Sequence, residues 1–244
     1  MQDTTKPNKY AIHEACREGH LQTVESLLSA SPKLTLVTDP DSRLPLHWAT
    51  TSASLAIATL LLQHTPSLDT HIDASDSSGW TALMIASSLP SSSGLPLASL
   101  LLSRGADPNA KSHGGQTALH FAASKANLDV IRALLDGGAS ARIRDRRGQL
   151  PLHRAAAVGS VPVLRELLGK GKSAVDVADA DGMTALHHAV CEGHGDAALF
   201  LVVGGAADAG KRDGEGRTAL ECAPDAKTGE FLVRGAEREG VDLV

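Results

Sequence analysis

Four stretches of this chain spell Leu-His-x-Ala: Leu46-His47-Trp48-Ala49, Leu119-His120-Phe121-Ala122, Leu152-His153-Arg154-Ala155 and Leu186-His187-His188-Ala189. Ile12-His13-Glu14-Ala15, Leu83-Met84-Ile85-Ala86 and Leu220-Glu221-Cys222-Ala223 are drifted copies. The histidine position falls at 13, 47, 84, 120, 153, 187 and 221, at intervals of 34, 37, 36, 33, 34 and 34. A period of this length constrains the fold more than the total of 244 residues does. That length alone would allow one or two ordinary domains. The period demands small units that cannot bury their apolar face alone and must stack on their neighbours.

Residues 111–143 show what one unit contains. Gly114-Gly115 permits the positive φ of a tight hairpin tip, and Thr117 stands where a helix N-cap belongs, its hydroxyl expected to accept a backbone N–H. Pro45 and Pro151 occupy the next position in two other units, as suits a first helical turn. Leu119, Ala122 and Ala123 form an apolar edge on a first helix, and Val130, Ile131, Leu134 and Leu135 lie at helical spacing on a second. Gly137-Gly138 then supplies the left-handed C-terminal cap. Leu27-Leu28, Leu61-Leu62, Leu101-Leu102, Leu134-Leu135, Leu167-Leu168 and Leu201-Val202 repeat the same pair. With aromatics at 2%, the core must be Leu, Ala, Val and Ile.

A period near 33 with this wording is the mark of ankyrin repeats. The expected fold is an all-α ankyrin-repeat solenoid with β-hairpin fingers and seven repeats. Their boundaries fall near 9–38, 39–75, 76–110, 111–143, 144–177, 178–210 and 211–240, within a single domain over 9–244. Residues 1–8 are expected to form a loose tail. The end repeats depart from the pattern: Glu221 replaces the histidine, and Pro224 should cut the last first-helix short. Pro90-Ser91-Ser92-Ser93-Gly94 and the exit over 65–75 read as surface-loop insertions.

The net charge of −5 conceals zones. Residues 1–110 carry net −4, residues 111–172 net +7 and residues 173–244 net −8. The pattern reads either as a docking field for a partner of opposite polarity or as uneven scatter on a solvated surface. An acidic chain with so short a basic segment argues against nucleic acid as a partner. No signal-like start or long apolar run is visible. The chain therefore reads as soluble and intracellular, with Cys16, Cys191 and Cys222 as reduced thiols and no membrane partner.

Catalytic and metal readings fail on inspection. His187-His188-x-x-Cys191-x-x-His194 has the look of a ligand cluster. His187, however, is the phrase histidine, and His194 belongs to the Gly-His that closes a first helix, as Gly19-His20 does. Gly169-Lys170-Gly171-Lys172-Ser173 resembles the end of a phosphate loop, but Glu166 stands where the first glycine is required and the segment follows a helix. No cofactor, metal or catalytic residue is expected, and the chain reads as non-enzymatic.

Binding should instead use two rows. The fingertips read Asp39, Asp41 and Arg43, then Asp76, Ser78 and Trp80, then His113 and Gln116, then Asp145, Arg146, Arg147 and Gln149, then Asp179, Asp181 and Met183. The exposed edge of the first helices reads Trp48, Ile85, Phe121, Arg154 and His188, with Lys125 and Glu192 one turn on. Trp48, Ile85 and Phe121 are expected to form an apolar strip facing solvent, and Trp and Arg are frequent interface anchors.

Within this frame, Asp41-Ser42-Arg43-Leu44-Pro45-Leu46-His47-Trp48, Ser78-Gly79-Trp80-Thr81, Leu119 to Lys125, Leu152-His153-Arg154-Ala155-Ala156 and Glu192-Gly193-His194-Gly195-Asp196-Ala197-Ala198 resemble the gankyrin family. Those proteins are seven-repeat assembly chaperones of the proteasome regulatory particle. The resemblance implies a monomer in cytoplasm and nucleus whose concave face grips the C-terminal domain of a proteasomal AAA ATPase subunit. It implies basic contacts at Arg43 and Lys125 and an acidic one at Asp41, with Asp76 substituting for a second acidic position that aligns with Ser77. The family's Leu-x-Cys-x-Glu motif is not present: its place reads His188-Ala189-Val190-Cys191-Glu192. A generic ankyrin adaptor or inhibitor of a kinase or transcription factor is the alternative.

Overall fold

The computed structural model describes residues 9–65 and 71–243. The expected tail at 1–8 lies outside the described residues, as does the middle of the 65–75 exit. The chain falls into two compact units, Met1–His113 and Gly114–Val244. In the first, α1 (Ala11–Glu18), α2 (Leu21–Ala30), a 3-10 turn (Pro32–Leu36), α3 (Pro45–Thr51), α4 (Leu55–His64), α5 (Ala82–Ser88) and α6 (Ser91–Ser103) follow one another. In the second come α7 (Ala118–Ser124), α8 (Leu128–Asp136), α9 (Pro151–Ala157), α10 (Val161–Gly169), α11 (Ala185–Cys191), α12 (Gly195–Val203), a 3-10 turn (Leu220–Cys222) and α13 (Ala226–Arg238).

Each unit is two layers of helices. The first helices pack in series, α1–α3–α5 in one unit and α7–α9–α11 in the other, and the second helices form the outer layer, α2–α4–α6 and α8–α10–α12–α13. The alanines Ala49, Ala86, Ala122, Ala155 and Ala189 are wholly buried between first helices, which is why the phrase needs a small residue there. From every Leu pair at least one member is buried, Leu28, Leu61, Leu101, Leu134, Leu167 and Leu201 each at 1% exposure or less. Burying one such side chain contributes about 1.5–3 kcal/mol, and none can do so without the adjoining repeat.

The phrase histidine has a double task. Its Nδ1 accepts the backbone N–H three residues earlier: Leu44 to His47 at 3.0 Å, Thr117 to His120 at 3.1 Å, Leu150 to His153 at 2.9 Å and Thr184 to His187 at 3.3 Å. That acceptor role leaves the proton on Nε2, which donates to a carbonyl in the next repeat or, for His153, in the last residue before it. The recipients are Trp80 from His47, Gln149 from His120, Val177 from His153 and Arg217 from His187, at 2.9–3.2 Å. In neutral form each ring therefore ties its own helix start to its neighbour. The Thr117 hydroxyl differs from expectation: it meets His120 Nδ1 at 3.0 Å and takes no backbone N–H.

Helix α8 ends as its glycines require. Gly138 has φ 90°, with Gly138 N–H donating to Leu135 O and Ala139 N–H to Leu134 O. Two expectations need correction. No β-ladder forms among the described residues; the fingers are tight turns, and one isolated bridge joins Arg212 and Thr218. One bond between the arms, such as Asp76 N–H to Trp80 O, and one within the turn, such as Gly79 N–H to Asp76 O, close five of the fingers, leaving arms too short to ladder. Residues 91–94 form the opening turn of α6, started by Ser93 and Gly94 N–H bonds to Pro90 O. Gly94 is buried there because a Cβ would lie 2.6 Å from Ala86 O. The first helix of the last repeat does shrink to the 3-10 turn, ahead of Pro224.

Candidate protein-docking face

Five fingertips are each built on one aspartate, and Ser112 stands at that position in the third. The Oδ1 of Asp39, Asp76, Asp145, Asp179 and Asp213 accepts the backbone N–H groups two and four residues on, all at 2.8–3.0 Å. The turn is thus fixed by a carboxylate that carries its charge inward, as aspartate turns do. The residue before the last rung needs φ > 0, and glycine fills it at 79, 148, 182 and 216, each with φ of 73–81°. Ser42 stands there in the first tip with φ 60°.

The second carboxylate oxygen reaches a side chain. Asp39 Oδ2 accepts Trp48 Nε1 at 2.8 Å, Asp145 Oδ2 accepts Arg154 Nη2 at 2.9 Å and Asp179 Oδ2 accepts His188 Nε2 at 2.9 Å, all nine residues on. Asp76 has Ile85 at that distance and takes Arg43 Nε of the preceding tip instead, at 3.3 Å. Burial raises the Asp39, Asp76 and Asp179 carboxyls, but the hydrogen bonds they accept outweigh it and leave all three below the usual range. Asp213, held by Arg217, falls to about 2.

This arrangement sorts the expected contact residues. Asp41, Lys125, Arg146 and Arg147 are exposed, as a contact surface needs. Asp39, Arg43, Trp48, Trp80, Phe121, Arg154 and His188 are half-buried. Arg43 packs its guanidinium over Trp48, 5.0 Å from the ring centre, with Asp76 on its Nε. Two expectations are corrected. Ile85 is 7% exposed and belongs to the core, because it faces the neighbouring helix without a polar tip to satisfy, so it does not join a solvent-facing strip with Trp48. Asp76 is 5% exposed and spends its carboxylate on the turn and on Arg43, so it is not displayed to a partner.

Gln149, placed among the fingertips by its sequence, serves the scaffold instead. It is 3% exposed and its Nε2 donates to Asp179 Oδ2 at 2.9 Å, linking two tips as Arg43 does. Both residues lie four positions after a tip aspartate, which was the available signal. Arg154 Nε is buried and has no acceptor among the described residues. Neighbouring tips are also joined by backbone alone: Ser77 N–H to Asp41 O, His113 N–H to Ser78 O, Arg146 N–H to Gly114 O, Ala180 N–H to Arg147 O and Gly214 N–H to Asp181 O. No group of His, Cys, Asp or Glu among the described residues could hold a metal ion, and no described helix is long and apolar enough to cross a membrane.

Known proteins share this plan. Three copies of the ankyrin-repeat family model match residues 12–112, 89–179 and 163–237. The Saccharomyces cerevisiae protein named "Probable 26S proteasome regulatory subunit p28" is 38% identical over 93% of this chain and 98% of its own length. The chain belongs to the gankyrin family of ankyrin-repeat proteins. An ankyrin repeat-containing protein of Schizosaccharomyces pombe is also 38% identical to this gankyrin-family chain, over 96% of it and 97% of the relative. Among solved structures, the ankyrin repeat domain of Bcl-3, an IkappaB-family protein, matches with TM-score 0.72 and 25% identity over 91% of this chain and 97% of that domain. The human ASB11 ankyrin repeat domain matches with TM-score 0.79 and 22% identity, over 92% and 96%, and shows the fold alone.

Proposed function

We propose that this chain is a non-enzymatic assembly chaperone of the proteasome regulatory particle. It holds the C-terminal domain of a base AAA ATPase subunit on its fingertips and first-helix edges, and its bulk delays docking on the core particle. It acts as a monomer, in cytoplasm and nucleus, and neither nucleic acid nor membrane takes part. The observation that carries this reading is the near full-length match to the yeast protein named a 26S proteasome regulatory subunit. The geometry adds a fitting surface. Arg43 is pre-positioned on Trp48, Lys125, Arg146 and Arg147 are exposed, and Arg154 Nε is a buried donor that an acceptor on a bound partner would satisfy.

The test is binding of the full chain to the purified C-terminal domain of each base ATPase subunit. One domain should bind well above the others, and Lys125→Glu together with Arg146→Glu and Arg147→Glu should weaken it about tenfold or more and flatten its salt dependence. These positions are preferable to Arg43, whose reversal would set a second carboxylate against buried Asp76. If no ATPase domain binds and a kinase or transcription factor is retained from extract instead, the chain is a generic adaptor and the reading falls.

A further inference from the structure

In the inner layer, the residue four places after one phrase histidine position lies beside the residue one place after the next. In the first unit this register brings the Arg17 guanidinium to 6.0 Å from the Trp48 ring centre. In the second unit the same register pairs Cys191, at the end of α11, with Cys222, in the 3-10 turn of the last repeat. These two elements pack together. The two thiols are close enough for each to perturb the other electrostatically, and Cys222 Sγ also lies 3.7 Å from Asp213 Oδ2. Packed helices stand about 8–10 Å apart, with Cα atoms on a radius of about 2.3 Å. Facing Cα atoms therefore come within about 3.5–5.5 Å, which overlaps the span of about 4.4–6.8 Å that a disulfide needs. Both cysteines are partly exposed, so a small oxidant can reach them, whereas Cys16 is fully buried.

We propose that Cys191 and Cys222 form an oxidisable dithiol whose disulfide staples the last repeat to the sixth. The oxidant is a small disulfide such as glutathione disulfide. One cysteine thiolate attacks it, forming a mixed disulfide and releasing one glutathione thiolate. The second cysteine, as its thiolate, then displaces the other glutathione and closes the Cys191–Cys222 bond. The protein loses two electrons and two protons, and the oxidant is reduced to two glutathione molecules. Burial raises both thiols, and the neighbouring sulfur and Asp213 add to this for Cys222, which stands at about 12. Thiolate is therefore scarce near neutrality, and closure is slow there and quickens with rising pH. The staple closes a loop that includes α12 and anchors the 3-10 turn that Pro224 leaves short.

The full chain is incubated with glutathione disulfide at pH 8.5, and its intact mass and disulfide-linked peptides are read. The expected product has lost two hydrogens and yields one linked pair, Cys191 with Cys222. Cleavage by protease within residues 226–238 slows about tenfold relative to the reduced chain, and dithiothreitol restores it. Cys16→Ala forms the same product, while Cys191→Ala and Cys222→Ala do not. A folded chain that stays reduced, carries stable single glutathione adducts, or links either residue to Cys16 overturns the proposal. Because the wild-type chain supplies the decisive mass and peptide readout, the result stands even if an alanine variant is unstable.

Discussion

The Trp48 indole N–H donates to the Asp39 carboxylate across 2.8 Å, so a fingertip and the helix nine residues away share one anion. The other oxygen of that carboxylate holds the backbone of Asp41 and Arg43. Asp39→Ala should therefore lose the turn and release the indole together. We expect a loss of about 1–3 kcal/mol, measured by urea denaturation, with a red-shifted Trp48 emission. Unchanged stability would show that the turn holds without its carboxylate.

Acid should weaken the fold in two stages. His153 is lowered to about 4 by burial first and by His188 second, against an ordinary value of 6.5. The unfolded chain thus binds a proton near 6.5 that the folded chain refuses until about 4. The stabilisation is complete above 6.5 and is lost as pH falls from there toward 4, amounting to at most about 3 kcal/mol. The lowered Asp76 and Asp179 carboxyls lose theirs only as pH falls below the ordinary carboxylate range. Thermal midpoints recorded from pH 7.5 to 3 should show both stages, and His153→Gln should remove much of the first.

Two glycines with almost the same backbone separate strain from collision. Gly19 has φ 75° and open space around a hypothetical Cβ, whereas Gly79 has φ 78° and a Cβ there would lie 2.5 Å from His113 N. Gly19→Ala should cost about 1–2 kcal/mol, the left-handed penalty alone. Gly79→Ala should cost clearly more, because the obstructing atom is backbone. Equal denaturation midpoints for the two variants would contradict the tip packing described.

Ser42 offers the reverse experiment. It occupies the left-handed position that glycine fills in other tips, with φ 60°. Ser42→Gly relieves the left-handed strain and gives part of it back as unfolded-chain entropy, for a net gain below about 1 kcal/mol. A small rise in the denaturation midpoint is the expected result, and a clear fall would mean that the Ser42 side chain makes a contact the chain depends on.

The repeats were legible because their histidine cannot be replaced without cost. His47, His120, His153 and His187 each close two hydrogen bonds, one of them into the next repeat or to its threshold at Val177, so the word survives where the surrounding residues drift. Glu221 shows the limit of that rule. It keeps the local bond, accepting Thr218 N–H through Oε2, and has no proton to hand onward. The candidate face was less legible. Asp76 looks like a surface charge in sequence, and its inward aim depends on a turn whose geometry is set by backbone N–H groups that sequence does not display. Ile85 shares a register position with half-buried Trp48 and Arg154, but only polar ends that reach a tip aspartate draw those two toward solvent. The segment at 91–94 looked like a loop from its serines, yet Pro90 offers its carbonyl to two amides and starts a helix.

Adjacent fingertips touch through peptide groups, Ala180 to Arg147 and Gly214 to Asp181 among them, and the side chains of Arg147 and Asp181 are exposed to solvent. Whatever residue stands at 147 or 181 brings the same carbonyl to that seam. Selection can therefore rewrite what the tips say to a partner without loosening the scaffold that presents them, so affinity and stability become separately tunable traits along this row.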